Sequence, residues 1–333
     1  MGYFPKSFKP TANFRRALSV VWLGLLTATA IADTGQAAFQ RGDYEAAAAQ
    51  FMLRAEGGDP VAQNNLGVLY LKGHGVSQDH ASAKLWFERA AAGALAGAMF
   101  NLGIMYLRGY GMEPDVLLAT HWFERGAEGG DREAQFFLGV HHYHGRGGDR
   151  DLESAAKWFR SAAAQNLGAA QYNLAMMHLR GESVPEDEAI ALELLEQAAQ
   201  QGHESAELTI GRLHLAHSDN PERLARGAQL FQRLAEDGNA DAQVNLGMIY
   251  TFGQGVAQDY DEGRFWLKLA SNQGSGHAQL NLGNIYAEGI GVERDLIRAY
   301  AWYAISAENG DAAGRRNRDA LGQELSAVAL EQA

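Results

Sequence analysis

The stretch Tyr70–Gly93, "YLKGHGVSQDHASAKLWFERAAAG", decides the fold. Gly73-His74-Gly75 has the look of a glycine-rich loop that cradles a phosphate, but such a loop follows a strand and occurs once. The same residues also fit a joint between two helices. Asp79 then serves as N-cap for a helix from His80 to Ala92, with Ala83, Trp86, Phe87 and Ala90 on one face. Recurrence separates the two readings. The turn returns as "GYGMEPD" from Gly109, "GRGGDRD" from Gly145, "GQGVAQD" from Gly253 and "GIGVERD" from Gly289, at 36 residues or a multiple of it. A fixed period of this size means a stacked repeat array.

Other columns hold the same register. A small residue sits at Gly67, Gly103, Gly139, Ala175, Gly211, Gly247 and Gly283. A tryptophan recurs at Trp86, Trp122, Trp158, Trp266 and Trp302, with Leu194 and Leu230 in its gaps. Each unit reads as two helices. The first spans Pro60 to Lys72 in unit one, with Leu66, Leu69 and Tyr70 at three- and four-residue spacing. Asp79, Asp115, Asp151, Asp187, Asp259 and Asp295 stand where the second helix needs an N-cap. Gly58, Gly130, Asn166, Gly202, Gly238, Gly274 and Gly310 stand just past it, where a left-handed closing residue belongs. Mid-helix glycine costs about 1 kcal/mol against alanine. The Gly67 column therefore implies close approach of the partner helix.

The domain reading is a short helical unit over 33–58, seven full repeats over 59–310, and a capping helix over 311–333. In that last segment Leu321, Leu325, Val328 and Leu330 form a roughly helical apolar pattern suited to covering an open array end, or alternatively to docking a partner. Units four and five depart most. "RGESVPEDEAIALELLEQAA" keeps one turn glycine and loses the tryptophan, while "LAHSDNPERLARGAQLFQRLAE" loses both turn glycines, the Asp cap and the tryptophan. Neutral drift and a specialised waist are the two readings of that change.

Residues 1–32 differ from the rest. Lys6, Lys9, Arg15 and Arg16 precede the apolar run "ALSVVWLGLLTATAIA", and Ala30-Ile31-Ala32 suits cleavage before Asp33. This is the layout of a secretory signal peptide. The run is short for a membrane span, which needs about 20 residues. The expectation is cleavage near Ala32/Asp33 and a periplasmic or secreted product with no stable span. The chain carries a net charge of −12 and no cysteine. Thiolate catalysis, disulfides, Cys-ligated zinc and a lipoprotein anchor are thereby excluded, and wholesale nucleic-acid binding is disfavoured.

The segments "AQNNLGVLYLKGHGVSQDHASAKLWFERAA", "AQVNLGMIYTFGQGVAQDYDEGRFWLKLA" and "AQLNLGNIYAEGIGVERDLIRAYAWYAISAENG" resemble the Sel1-like repeat, a relative of the tetratricopeptide repeat. The resemblance covers roughly residues 35–314. It implies an all-α, right-handed α-solenoid of helix-turn-helix repeats, used as a scaffold for other proteins, with the first helix of each pair lining a concave surface. Its inward positions in unit one are then Val61, Asn64, Val68, Leu71 and Lys72.

Two of these columns carry the candidate site. One reads Lys72, Arg108, His144 and Arg180 over four units before turning non-basic. The other reads Asn64, Phe100, Phe136 and Tyr172, and Tyr143 adds a ring nearby. One reading is a groove for an exported or envelope protein segment bearing carboxylates and apolar anchors. The other places the phenylalanines in the inter-helix core and the cations in solvent at helix C-termini.

Histidine is a weaker candidate. His142, His178 and His214 fall in the tyrosine column of consecutive units, but equivalent residues on neighbouring helices stand about 10 Å apart, which suits packing better than a shared metal. No nucleophile motif and no metal-ligand spacing appears, so neither catalytic residue, metal nor cofactor is assigned. The leading expectation is a periplasmic adaptor that is not an enzyme. The family context suggests envelope signalling, polysaccharide export or host interaction. The alternative is a cell-wall factor acting on peptidoglycan, β-lactams or glycans; the missing cysteines weigh against carrying over the hydrolytic role linked to cysteine-rich members.

Overall fold

The computed structural model describes residues 34–217 and 219–325. The expected signal peptide, and Val328 and Leu330, lie outside them. Seventeen α-helices and no strand occur among the described residues. The chain divides into two compact units, residues 1–201 and 202–333.

In the first unit, α1 (Thr34–Gln40) and α2 (Tyr44–Glu56) form the short N-terminal pair. Four pairs follow: α3 (Pro60–Lys72) with α4 (His80–Ala92), α5 (Ala96–Arg108) with α6 (Val116–Glu128), α7 (Arg132–His144) with α8 (Leu152–Ala164), and α9 (Gly168–Arg180) with α10 (Glu188–Gln200). The second unit holds α11 (Glu204–Ala216) and α12 (Pro221–Glu236), α13 (Ala240–Phe252) and α14 (Tyr260–Asn272), α15 (Gly276–Glu288) and α16 (Leu296–Glu308), then α17 (Ala312–Glu324). Leu321 of α17 is buried against Tyr286, Ala299 and Tyr303.

The turn chemistry accounts for these boundaries. Gly73 closes α3 in the left-handed region at φ 68°, its N–H bonded to Leu69 O. The N–H of Asp79 then reaches back to Tyr70 O at 3.0 Å, and Asp115, Asp151, Asp187, Asp259 and Asp295 repeat that closure. Each of these six aspartates accepts a backbone N–H at the start of its helix, so orphan donors are satisfied. The residue before the aspartate adds a staple: Gln78, Arg150, Gln258 and Arg294 each donate a side-chain N–H to a carbonyl near the end of the first helix.

The second glycine of the turn does different work. A Cβ on Gly111 would lie 2.7 Å from His80 Cβ, and one on Gly75 or Gly255 would strike the backbone of Tyr44 or Leu224. In each case the obstacle is the second helix of the preceding repeat. Gly-x-Gly is thus a cap followed by an inter-repeat contact, and at Gly75, Gly111 and Gly255 glycine meets both the positive φ and the close approach.

The small-residue column meets the partner helix as the sequence implies. A Cβ on Gly67, Gly103, Gly139, Gly211 or Gly283 would fall 2.5–2.8 Å from the ring of Phe87, Phe123, Phe159, Phe231 or Tyr303. Where the small residue is alanine, at Ala175, the residue in the aromatic column is Leu195, and both are fully buried. A glutamine column missed by sequence reasoning binds successive repeats. Gln63, Gln135 and Gln243 donate to the carbonyls of Ala55, Ala127 and Ala235, which end the preceding second helix.

The fifth repeat replaces its turn. Asn220 caps α12 by accepting from Glu222 and Arg223 N–H, Pro221 occupies the first turn, and the helix runs 16 residues instead of 13. Residues spent elsewhere on the loop are spent here on helix.

Candidate functional site

Lys72, Arg108, His144 and Arg180 are the last residues of the first helices α3, α5, α7 and α9. Their charges lie where the helix dipole favours cations. All four are exposed. Lys72 and Arg108 have no ion pair among the described residues.

The aromatic column divides. Phe100 and Phe136 are each only 7 % exposed. Phe100 packs on Phe123 and Phe137 with ring centroids 5.9 and 5.5 Å apart, and Phe136 on Phe137 and Phe159 at 5.7 and 5.9 Å. As partner-facing residues these two are corrected: their rings pack between helices against Phe123, Phe137 and Phe159, in a column that is also buried at Asn64 and Leu208. Asn64, at the head of that column, is also buried and accepts 2.8 Å from Asn101 Nδ2. Tyr172 stays half-buried.

Tyr143, Arg180 and two residues not singled out from sequence come together. Tyr143 donates its hydroxyl to Glu182 Oε2 at 2.6 Å, and Arg180 Nη1 donates to the same hydroxyl oxygen at 3.0 Å. Glu182 lies 3.9 Å from both guanidinium groups, Arg180 Nη1 and Arg150 Nη2. The Arg150 guanidinium sits 5.3 Å from the Tyr143 ring centroid. Burial raises the Tyr143 phenol above its ordinary value, and the carboxylate holding its proton raises it further. The phenol is a donor at any ordinary pH.

The family model described as "Sel1 repeat" matches residues 60–94, 96–131, 132–167, 168–203, 240–275 and 276–311. The chain belongs to the Sel1 repeat family. The match passes over 204–239, the repeat with the rebuilt turn. Among solved structures, a Sel1 repeat protein from Oxalobacter formigenes is 31% identical, with a TM-score of 0.61 over 86% of this chain and 86% of that one. A protective antigen of uropathogenic Escherichia coli displaying an SLR fold is 26% identical, with a TM-score of 0.57 over 90% of this chain and 74% of that one. No curated protein matches the chain.

Of the histidine column, His178 is buried and His142 partly so. His178 Nδ1 bonds Pro185 O at 2.9 Å inside its own turn. His141, which stands beside the tyrosine column in the run His141-His142-Tyr143-His144, is the unusual one. It is 1 % exposed and occupies the core column of Leu69, Met105, Met177, Leu213, Ile249 and Ile285. Its Nδ1 lies 2.7 Å from Thr120 Oγ1, its ring meets Phe123 edge-on, and its Nε2 has no partner. An imidazole in an otherwise aliphatic column was the available signal.

Proposed function

We propose that this Sel1 repeat protein is an exported scaffold that binds a protein partner on the first-helix face of residues 60–180. The supporting observation is the row of exposed cations ending α3, α5 and α9, joined at Tyr143 and Arg180 by aromatic surface, on a chain whose net charge is −12. Much of the repeat pattern is consumed by folding: the aspartate caps, the staples and the glycine contacts with Phe87, Phe123 and Phe159 are satisfied within the chain. The family context of Sel1 repeats as protein-interaction modules and the leader-like residues 1–32 point the same way, to action in the periplasm or beyond. The partner carries carboxylates and apolar anchors.

Reversing Arg108 and Arg180 together, as Arg108→Glu and Arg180→Glu, tests this on the partner recovered by crosslinking. Two exposed charges at about 1 kcal/mol each correspond to roughly tenfold or more in Kd, with helical content and Tm nearly unchanged. Unaltered affinity at physiological salt would remove the face from consideration.

A further inference from the structure

The position between the turn glycines is held by His74, Tyr110, Arg146, Glu182, Gln254 and Ile290 in the repeats that keep a turn. It is acidic only once. At that one place the next residue, Ser183, takes φ 55° where its counterparts Gly75, Gly111, Gly147, Gly255 and Gly291 are glycine. A serine held in the left-handed region is a cost of about 1 kcal/mol or more. The carboxylate it accompanies is spent on a neighbouring repeat: Glu182 bonds Tyr143, 39 residues earlier, and faces Arg150 and Arg180.

The three donors come from different elements. Tyr143 is one residue from the end of α7. Arg150 is pinned by its Nε–H to Tyr143 O at 3.0 Å, which leaves its terminal nitrogens directed to the carboxylate. Arg180 ends α9. Two cations and one phenol therefore surround one carboxylate, and the side chains of Glu182, Arg180 and Arg150 are 26%, 30% and 54% exposed. Solvent reaches every member. Ion pairs this exposed are individually weak, so exchanging one carboxylate for another at the same donors is close to neutral, and a segment that brings further contacts wins.

We infer that Glu182 is a resident stand-in for a partner's carboxylate, and that an acidic peptide segment binds by displacing it and seating its own Asp or Glu side chain among Tyr143, Arg150 and Arg180. This rests on the proposed role of the first-helix face and assigns its anchor. It explains why the one acidic residue between the turn glycines lies against Arg180 of the face and Arg150 of the neighbouring turn. Empty, the three donors would be an exposed cationic site that attracts any anion; filled by Glu182, they admit only a segment able to compete. Specificity of this kind is set by what the occupant excludes.

The test uses the full chain and two labelled peptides, a Glu-Tyr-Ala repeat and its Gln-Tyr-Ala match, titrated by fluorescence anisotropy. Glu182→Ala is compared with Glu186→Ala, which removes the same charge from the same turn without touching the donors. Glu182→Ala is expected to tighten the Glu peptide about fivefold more than Glu186→Ala does, to leave the Gln peptide unchanged, and to lose the gain when Tyr143→Phe is added. Equal effects of the two alanine variants, or equal gain for the Gln peptide, overturn the inference. If Arg108→Glu with Arg180→Glu still weakens binding of the recovered partner, the face survives that result. If no variant binds the Glu peptide and the charge reversal is silent, both fall.

Discussion

Gly103→Ala is expected to destabilise the protein by about 2 kcal/mol, and combining it with Phe123→Leu is expected to cost less than the two single losses summed. A new Cβ at Gly103 would lie 2.5 Å from Phe123 Cε1, in a site where Phe123 is fully buried. Overpacking of this kind costs up to about 3 kcal/mol, and about 1 kcal/mol returns from helix propensity. Phe123→Leu alone costs about 1–2 kcal/mol through lost contacts and residual cavity. The pair should be better than additive by roughly 1 kcal/mol, because each change removes the other's conflict. The fourth repeat already carries the combination as Ala175 and Leu195. Urea unfolding of the wild type, both single variants and the double variant measures the coupling. Additive losses would show that the small-residue column has another purpose.

The second large effect is a pH dependence carried by His141. Burial, first, and then the charges of Arg146, His142 and His144 lower its pKa to about 4. In the unfolded chain it titrates near 6.5. Between those values the unfolded state binds the proton and the folded state does not, so stability is whole above about 6.5 and falls as pH drops toward 4. The loss reaches about 3 kcal/mol. His141→Met, the residue of Met105 and Met177, should remove that dependence, and Thr120 keeps its bond to Val116 O at 2.8 Å. Asp131 acts in the opposite sense. Burial raises it to about 6, so the folded chain there favours the protonated acid and gains stability as pH falls through the same window. Asp131 is common to wild type and variant, so the difference between their stability curves isolates His141. Parallel curves from pH 7.5 to 4.5 would contradict the assignment.

Much of the fold is legible in the sequence because its rules are local. The helix from His80 to Ala92 and the one from Pro60 to Lys72 follow from apolar spacing, an aspartate cap and a closing glycine, and the helices stop at those residues. All seven left-handed positions read from Gly58 to Gly310 have positive φ. Ala94 takes the same conformation at φ 59° and escaped notice, since alanine carries no turn signal. The site is less legible for a physical reason. Columns compare equivalent residues 36 apart, whereas contacts between repeats join non-equivalent ones. Tyr143 meets Arg180 across 37 residues and Glu182 across 39. Phe100 and Phe136 likewise pack on Phe123, Phe137 and Phe159, all from other columns.

The proposed role of the first-helix face is to grip a protein. Its most direct measurement is site-specific photo-crosslinking in the cells that make the protein, with benzoylphenylalanine at Lys72 or Arg108 on that face and at Leu117, which is 68% exposed on a second helix. A gripping face gives one dominant protein adduct at both face positions and none at Leu117. Adducts confined to Leu117, or equal at all three positions, would contradict it.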